Sequence, residues 1–266
     1  MKKNLAALVV MVALIGTVVF GVCQPAAAQT PKATTTWRLQ STYYEGSLMM
    51  QAVKKAFDSV YKDSGGRLKI DVYTGGSIVP VMEMFNAVSQ GVLPIIEGGG
   101  GYWEGSIPVT VLEGGLPFQF MGSLKDLKGV LDSGLETLFR EAYASKNVYL
   151  LGYQSDGPYP SIMSRVPIRK FEDWRGLKVR GFSAFNTLYS KMGCGAVYIT
   201  PGETYTALKM GTVNVATLDV GAVVNSKFYE VFKYLITPQF IDHIVSHVLV
   251  NMDAWNKLPA DLKQVL

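Results

Sequence analysis

Strand-like and helix-like segments alternate along most of this 266-residue chain, and this alternation constrains its fold most strongly. The strand-like segments are short and either alternating or continuously apolar. The helix-like segments repeat apolar residues at helical spacing, and several stop at glycine. The predicted strands are 36–40, 68–73, 92–96, 148–154, 177–181, 213–218 and 244–251, and the predicted helices are 47–62, 81–90, 123–131, 135–146, 201–210 and 225–232. This order predicts an α/β fold whose mostly parallel sheets are flanked by helices.

The length left for folding is enough for two α/β lobes, each with its own core. We predict lobe I over 29–154, with a return strand near 244–252, and lobe II over 155–243. Residues 253–266 resemble the start of a helix that has no C-terminal cap, and this predicts a truncated helix. A cleft between two such lobes is a common place for a small-molecule site.

Residues 1–28 have the three parts of a secretory signal peptide. A charged start precedes an apolar run over Leu5–Cys23, and a small-residue cleavage site ends at Ala28. The run exceeds the ~7–15 residues that are usual for the apolar region of a signal peptide, so an uncleaved anchor of ~20 residues is the alternative. Pro25 favours cleavage. The sequence therefore predicts export to the periplasm and a mature protein that does not span the membrane.

Charge and cysteine content exclude several classes of protein. Cleavage would remove two of the 25 basic residues, and the 23 that remain nearly balance 21 acidic residues. This balance argues against a nucleic-acid partner. Cys194 would be the only thiol left, so no internal disulfide is expected. The chain has two histidines and no Gly-x-Ser-x-Gly elbow, so a hydrolase is not predicted.

Arg180 is the first candidate site residue, because the strand predicted at 177–181 ends on it and a helix follows directly. Arginine is always charged, and its planar fork can bind a carboxylate through two parallel hydrogen bonds. Ligands of open α/β sheets bind at the carboxyl ends of strands. We therefore predict that Arg180 anchors an anionic small molecule. The alternatives are a surface arginine or an ion pair with Glu203 or Asp219.

Aromatic residues near predicted strand ends supply further candidates. Tyr102 and Trp103 belong to a glycine-rich loop, where we expect Tyr102 to face the cleft and leave Trp103 between cleft and core. Either Tyr43 or Tyr44 is expected to line the pocket, and we select Tyr44. The loop lacks the spacing of a phosphate-binding motif.

The histidines at 243 and 247 are four residues apart, which is a metal-ligand spacing on a helix. The apolar alternation around them favours a strand, and no third ligand is evident. A structural role is the better prediction, and no metal site is assigned.

Three segments carry a resemblance to a known family: Asp173–Arg180, Pro201–Asn214 and Phe228–Tyr234. Their order and spacing resemble those of the substrate-binding proteins of TRAP transporters, of the DctP type. The resemblance covers nearly all of the predicted mature chain. The Tyr102-Trp103 loop and the Pro201-Gly202-Glu203 turn look most like the α-keto acid-binding branch of that family.

The resemblance implies a two-lobed periplasmic binding protein that closes on a small organic acid by a hinge motion. In that family, the arginine at the position of Arg180 holds the acid, and the protein delivers the acid to the membrane subunits of a TRAP transporter. No catalysis and no cofactor are expected. The alternative partner is a membrane sensor kinase that senses the bound ligand. The long C-terminal helix of the family would begin near residues 254–258 and be mostly missing.

Two positions depart from the family pattern. Tyr159 stands where the family often has arginine or glutamine, and Asp219 is the only acid where the keto-acid branch has an acidic residue next to tryptophan. Asp219 could contact a ligand hydroxyl, a cation or Arg180. The identity of the acid and the presence of a cation therefore stay open. The predicted substrate-binding residues are Arg180, Tyr102, Tyr159, Asp219, Trp103 and Tyr44.

Overall fold

A computed structural model describes residues 34–114, 118, 123–155, 161–237 and 244–266 of the chain. The signal peptide predicted over 1–28, the candidate Tyr159 and the histidine at 243 lie outside these residues. The strands are β1 Thr35–Ser41, β2 Leu68–Tyr73, β3 Ile95–Gly98, β4 Val148–Ser155, β5 Ser161–Ser164, β6 Lys178–Arg180, β7 Gly195–Val197, β8 Val215–Leu218, β9 Tyr234–Ile236 and β10 Val245–Asn251.

Helices connect these strands. The α-helices are α1 Leu48–Asp63, α2 Met84–Ser89, α3 Leu124–Val130, α4 Glu136–Ala144, α5 Ala184–Lys191, α6 Pro201–Met210, α7 Val220–Asn225, α8 Met252–Lys257 and α9 Ala260–Val265. Short 3₁₀ helices cover Val81–Glu83, Gly100–Tyr102, Pro108–Leu112, Phe171–Trp174 and Phe228–Glu230, and a π-helical turn, Leu131–Leu135, joins α3 to α4. None of the helices among the described residues is both long and apolar enough to cross a bilayer.

The strands form two five-stranded sheets in the described part of the chain. The first sheet has the order β2-β1-β3-β10-β4, and the second has the order β7-β6-β8-β5-β9. In each sheet, four strands point in one direction and one strand opposes them, β10 in the first sheet and β5 in the second. The predicted α/β fold with mostly parallel sheets is therefore confirmed.

Local signals explain why these helices form where they do. The Ser47 side chain caps α1 by accepting from the Met50 N–H, and the helix buries Met50, Val53 and Phe57 on one face. In α6, Pro201 is the first residue, a capping box joins Thr200 to Glu203, and Gly211 ends the helix in the left-handed region at φ 77°. The predicted helix over 201–210 is confirmed in both bounds.

Strands β5, β7 and β9 were not predicted, and two helices, α8 and α9, replace the one helix expected over 253–266. Two further predicted elements differ from the structure. The helix predicted over 225–232 is wrong, because α7 ends at Asn225 and Lys227 adopts a left-handed conformation at φ 55°. The strand predicted over 92–96 begins only at Ile95, since the N–H groups of Val92 and Leu93 bond back to the Ala87 carbonyl. In both places the apolar pattern continues past the residue at which a helix ends, so the pattern alone does not show where the helix stops.

The opposed strand in each sheet starts at the edge where the other strands end. Val245, the first residue of β10, pairs with Ser155 at the end of β4, and Ser161 pairs with Leu218 at the end of β8. Each sheet therefore presents the carboxyl ends of its parallel strands and the start of its opposed strand along one edge. Ligands of open α/β sheets bind at such edges.

Candidate ligand-binding site

A narrow cavity of about 30 Å³ lies where these edges of the two sheets meet. Thr42, Tyr43 and Tyr44 line it from the segment after β1, and Gly99 and Tyr102 line it from the segment after β3. The second sheet contributes Phe182, which follows β6, and Asp219, which follows β8. Side chains from the two sheets therefore surround one small space, as the strand-end rule predicts.

Arg180 is fully buried and is held by the strands on both sides of its own. Its Nε donates to the Ile199 carbonyl oxygen at 2.9 Å, and its Nη1 donates to the Thr217 carbonyl oxygen at 2.5 Å. Its Nη2 has no hydrogen-bond partner among the described residues. The alternative of a surface arginine is wrong, and no salt bridge joins Arg180 to Glu203 or Asp219 in this part of the chain.

Because Nη2 lacks a partner among the described residues, the Arg180 guanidinium strongly favours the binding of an anion. A buried charge is costly unless it is paired and hydrogen-bonded, and a buried donor without an acceptor adds to that cost. Two neutral carbonyl oxygens fix the plane of the guanidinium but do not neutralise it. An acid group beside Nη2 would supply both the missing acceptor and the missing charge.

Asp219 lines the same cavity and caps α7 through the bond from the Ala222 N–H to its Oδ1, 3.0 Å long. Burial raises the pKa of Asp219 above its usual range, while backbone N–H groups and the Arg180 charge partly oppose this shift. Backbone N–H groups of Ala222, Asp219 and Gly221 already bond to this carboxylate, and an ionised carboxylate has about four lone-pair sites in all.

Both tyrosines after β1 line the cavity, whereas the sequence had selected only one of them. The Tyr44 hydroxyl lies 2.7 Å from Ser226 Oγ, and burial raises the pKa of Tyr44. The Tyr43 hydroxyl lies 3.2 Å from Ser246 Oγ and accepts from Gln154 Nε2 at 3.1 Å. The Tyr44 contact links the segment after β1 to the segment after α7.

Tyr102 and Trp103 have different surroundings. Tyr102 lines the cavity, stacks on Phe182 at a centroid distance of 5.9 Å, and meets Tyr198 edge-on at 5.8 Å. Trp103 is 3% exposed, stacks on Phe85, and donates its indole N–H to the Tyr143 hydroxyl at 2.9 Å. These contacts give Trp103 the packing role that the sequence left open.

A buried polar network behind Trp103 was not recognised from the sequence. The Tyr143 hydroxyl donates to the Glu113 carboxylate at 2.8 Å, and burial raises the pKa of Tyr143 well above its usual value. His247 Nδ1 lies 2.9 Å from Glu113 Oε2, although without the angles of a hydrogen bond. His247 therefore belongs to the core, and no group of metal-binding side chains occurs among the residues described.

The two sides of the cavity also touch directly. The Ser183 hydroxyl donates to Glu104 Oε2 at 2.6 Å, and Ser183 has φ 51° and ψ −140°, which is unusual for a residue other than glycine. A Cβ added to Gly101 would lie 2.8 Å from the Ser183 Cβ and 3.0 Å from the Phe182 ring. Only a glycine fits at 101 in this arrangement.

Comparison with known proteins identifies the family. The model of the bacterial extracellular solute-binding protein family 7, DctP, matches residues 40–266. The chain belongs to this family, as the sequence motifs predicted. The family consists of solute-binding proteins of TRAP systems that act outside the cytoplasm, and it is not enzymatic, which confirms the prediction that this protein is not an enzyme.

Individual relatives are distant. The chain is 22% identical to the monocarboxylate 2-oxoacid-binding periplasmic protein of Nostoc sp. PCC 7120, over 86% of this chain and 63% of the relative. It is 26% identical to the 2,3-diketo-L-gulonate-binding periplasmic protein YiaO of Escherichia coli K12, over 81% of this chain and 65% of the relative. The chain thus spans slightly less than two thirds of the length of these curated relatives.

A solved structure matches the fold closely. A TRAP periplasmic solute binding protein of Chromohalobacter salexigens, with bound (S)-(+)-2-amino-1-propanol, superimposes with a TM-score of 0.81 at 25% identity. The match covers 87% of this chain and 73% of that protein. The arrangement of two mixed sheets is therefore the one that this family uses.

Proposed function

We propose that this protein captures a small organic acid in a cleft between two lobes and delivers it to a TRAP-type membrane transporter. The unmatched Nη2 of the fully buried Arg180 is the observation that supports this most directly. Arg180 is the anchor, and the carboxylate of the ligand accepts from Nη2. The lobes are residues 29–154 with the return strand near 244–252, and residues 155–243.

The buried guanidinium supports a small acid as the ligand. The cavity of about 30 Å³ has room for only about two waters, at ~10–15 Å³ for each, so the ligand would fit only when the two sides of the cavity lie further apart. A keto acid, a hydroxy acid or a short dicarboxylate is the class that one guanidinium favours. Asp219 and Tyr44 would contact the remainder of the ligand, and Tyr102 would cover it. The names of the two relatives, which bind a 2-oxoacid and a diketo sugar acid, agree with this class.

The contribution of the Arg180 contact to the free energy of ligand binding follows from general magnitudes. A hydrogen bond to a charged group contributes about 1.5–3 kcal/mol net, because both partners lose water when it forms. At about 1.4 kcal/mol per factor of ten, loss of the contact weakens binding about 10- to 100-fold.

Isothermal titration with pyruvate, lactate and succinate tests the proposal. Arg180→Lys keeps a charge but loses the planar fork, and we expect its dissociation constant to rise at least about tenfold for every acid that the wild type binds. Arg175→Lys is the matched control, because Arg175 is exposed in the turn between the 3₁₀ helix Phe171–Trp174 and β6. Circular dichroism verifies that both variants fold. Lack of binding by the wild type, or unchanged binding by folded Arg180→Lys, would overturn the proposal.

Delivery and location need separate measurements. We propose that cleavage after Ala28 releases the protein into the periplasm, so N-terminal sequencing of the mature protein should begin at Gln29. Uptake of labelled acid should be lost when the gene is deleted. Normal uptake combined with a lost transcriptional response to the acid would favour the sensor-kinase partner instead.

A further inference from the structure

Tyr198 occupies a position beside Arg180 that the sequence did not single out. It directly follows β7, whose last residue, Val197, pairs with Arg180 in the sheet. The next residue, Ile199, supplies the carbonyl that accepts from Arg180 Nε. Tyr198 therefore lies between the two residues that fix Arg180 from the β7 side.

The Tyr198 hydroxyl is buried and has no hydrogen-bond partner among the described residues. This is not a general property of the buried tyrosines of this protein. The Tyr143 hydroxyl donates to Glu113, and the Tyr189 hydroxyl lies 3.0 Å from Thr217 Oγ1. Buried polar groups are almost always matched, so two donors on neighbouring strand ends that lack a partner among the described residues favour an acceptor from outside this part of the chain.

The ring of Tyr198 contacts one of the residues that line the cavity. Its edge-on contact with Tyr102, at 5.8 Å between centroids, joins it to a residue that lines the cavity. Burial raises the pKa of Tyr198, so the hydroxyl keeps its proton at neutral pH and can donate it in a hydrogen bond. A hydroxyl and a guanidinium N–H that donate to one carboxylate form charge-assisted bonds, which are stronger than neutral ones.

We propose that the Tyr198 hydroxyl is a specificity-determining donor that binds the same ligand carboxylate as Arg180 Nη2. This inference rests on the proposed function and extends it. The pair would select an acid group over the corresponding amide or alcohol, because only a carboxylate offers two equivalent charged oxygens to two donors from neighbouring strand ends. A neutral analogue would leave one donor poorly matched.

The variant Tyr198→Phe removes one oxygen and leaves the ring. We expect binding of the acids to weaken about tenfold, the low end for a bond to a charged acceptor. We also expect the melting temperature of the ligand-free protein to stay equal or rise, because an unmatched buried hydroxyl is removed. Tyr189→Phe is the matched control. Its hydroxyl is partnered, so its loss should lower the melting temperature and change the dissociation constant less than twofold.

A double-mutant cycle gives a readout that a merely structural role would not move. If both donors bind one carboxylate, the losses from Arg180→Lys and Tyr198→Phe should be non-additive, since residues that share a partner couple. Tyr198→Phe should also reduce the preference for pyruvate over pyruvamide. Binding by Tyr198→Phe within twofold of the wild type, with Arg180→Lys impaired, would overturn this inference alone. If the wild type binds none of the acids, the proposed function falls and this inference falls with it.

Discussion

The buried charges of the two sheets are treated differently. In the first sheet, Glu97 accepts from Ser41 Oγ at 2.6 Å and from Gln154 Nε2 at 3.0 Å. Glu113 in the same half accepts from Tyr143 and lies against His247. In the second sheet, Arg180 has two neutral carbonyl partners and an unmatched Nη2 within the described chain.

This difference distinguishes buried charges that stabilise the fold, in the first sheet, from a buried charge that belongs to a candidate binding site, in the second. A buried charge whose partners are other side chains fixes a core, because removal of any partner leaves a polar group unmatched. A buried charge that keeps a donor without a partner is fully hydrogen-bonded only when a ligand binds to it. The comparison predicts that substitutions in the first network change stability, whereas substitutions at Arg180 and Tyr198 change binding.

Glu113→Ala should have the largest effect on stability. It leaves the buried Tyr143 hydroxyl without its acceptor, and an unsatisfied buried donor costs about 1–3 kcal/mol, to which the cavity left by the removed side chain adds. Urea denaturation of the variant measures this loss of unfolding free energy. Glu136→Ala is the control, since Glu136 pairs with Arg140 on a helix surface and such pairs contribute at most about 1 kcal/mol. Equal losses in the two variants would contradict the comparison.

Gly101→Val should have an intermediate effect, and on binding more than on folding. Its Cβ would meet Ser183 and Phe182 across the cavity, and overpacking costs about 1–3 kcal/mol. We expect the affinity for the acid to fall about 5- to 100-fold, because the two sides can no longer approach. The affinity is measured by titration, with Gly105→Val as the control. Gly105 lies on the same loop, and a Cβ added there would have nothing within 4 Å.

Ser183→Gly should partly rescue the milder variant Gly101→Ala. The glycine removes the Cβ nearest to position 101 and accepts the positive φ of residue 183 without strain. Absence of any rescue would place the obstruction elsewhere.

Asp219→Asn should have the smallest effect, and one that depends on pH. Burial raises the pKa of Asp219 above its ordinary 3.8, so the folded state binds the proton more tightly than the unfolded state. Stability is therefore lost as the pH rises through the raised value. Asparagine keeps an acceptor for the Ala222 N–H but carries no charge. The variant should melt higher than the wild type at neutral pH, and the difference should shrink toward pH 3.8.

A flat difference across this pH range would mean that Asp219 is not desolvated. Ser226→Ala is a useful companion in the same melts, because it lies at the end of the same helix and changes no ionisable group.

Much of the fold followed from short-range signals. The strand at 68–73 and the helix at 201–210 were predicted with their observed bounds, because an alternating pattern and a capping box depend only on residues a few positions apart. The helix predicted over 225–232 failed for the same reason, since the left-handed Lys227 interrupts an apolar pattern that continues past it.

The site was predictable only in part. Strand-end position indicated Arg180, and the strand-end loops indicated Tyr44, Tyr102 and Asp219. The last three line one cavity. Burial raises the pKa of both Tyr44 and Asp219, and the charge of Arg180 lowers it against this larger effect. Trp103 has the same local signal as Tyr102 yet packs in the core, because the direction of a loop side chain depends on what the loop packs against. Whether these residues bind the ligand stays a prediction.

The sequence by itself determined the α/β class, the bounds of several strands and helices, the caps of several helices and the family, because each of these depends on residue types at fixed local spacing. Only the tertiary structure decided that Glu113, Tyr143 and His247 lie together, and that Arg180 and Tyr198, at the ends of neighbouring strands, each hold a donor without a partner among the described residues. Hydrogen-bond satisfaction depends on neighbours in space, and these neighbours come from segments far apart in the chain.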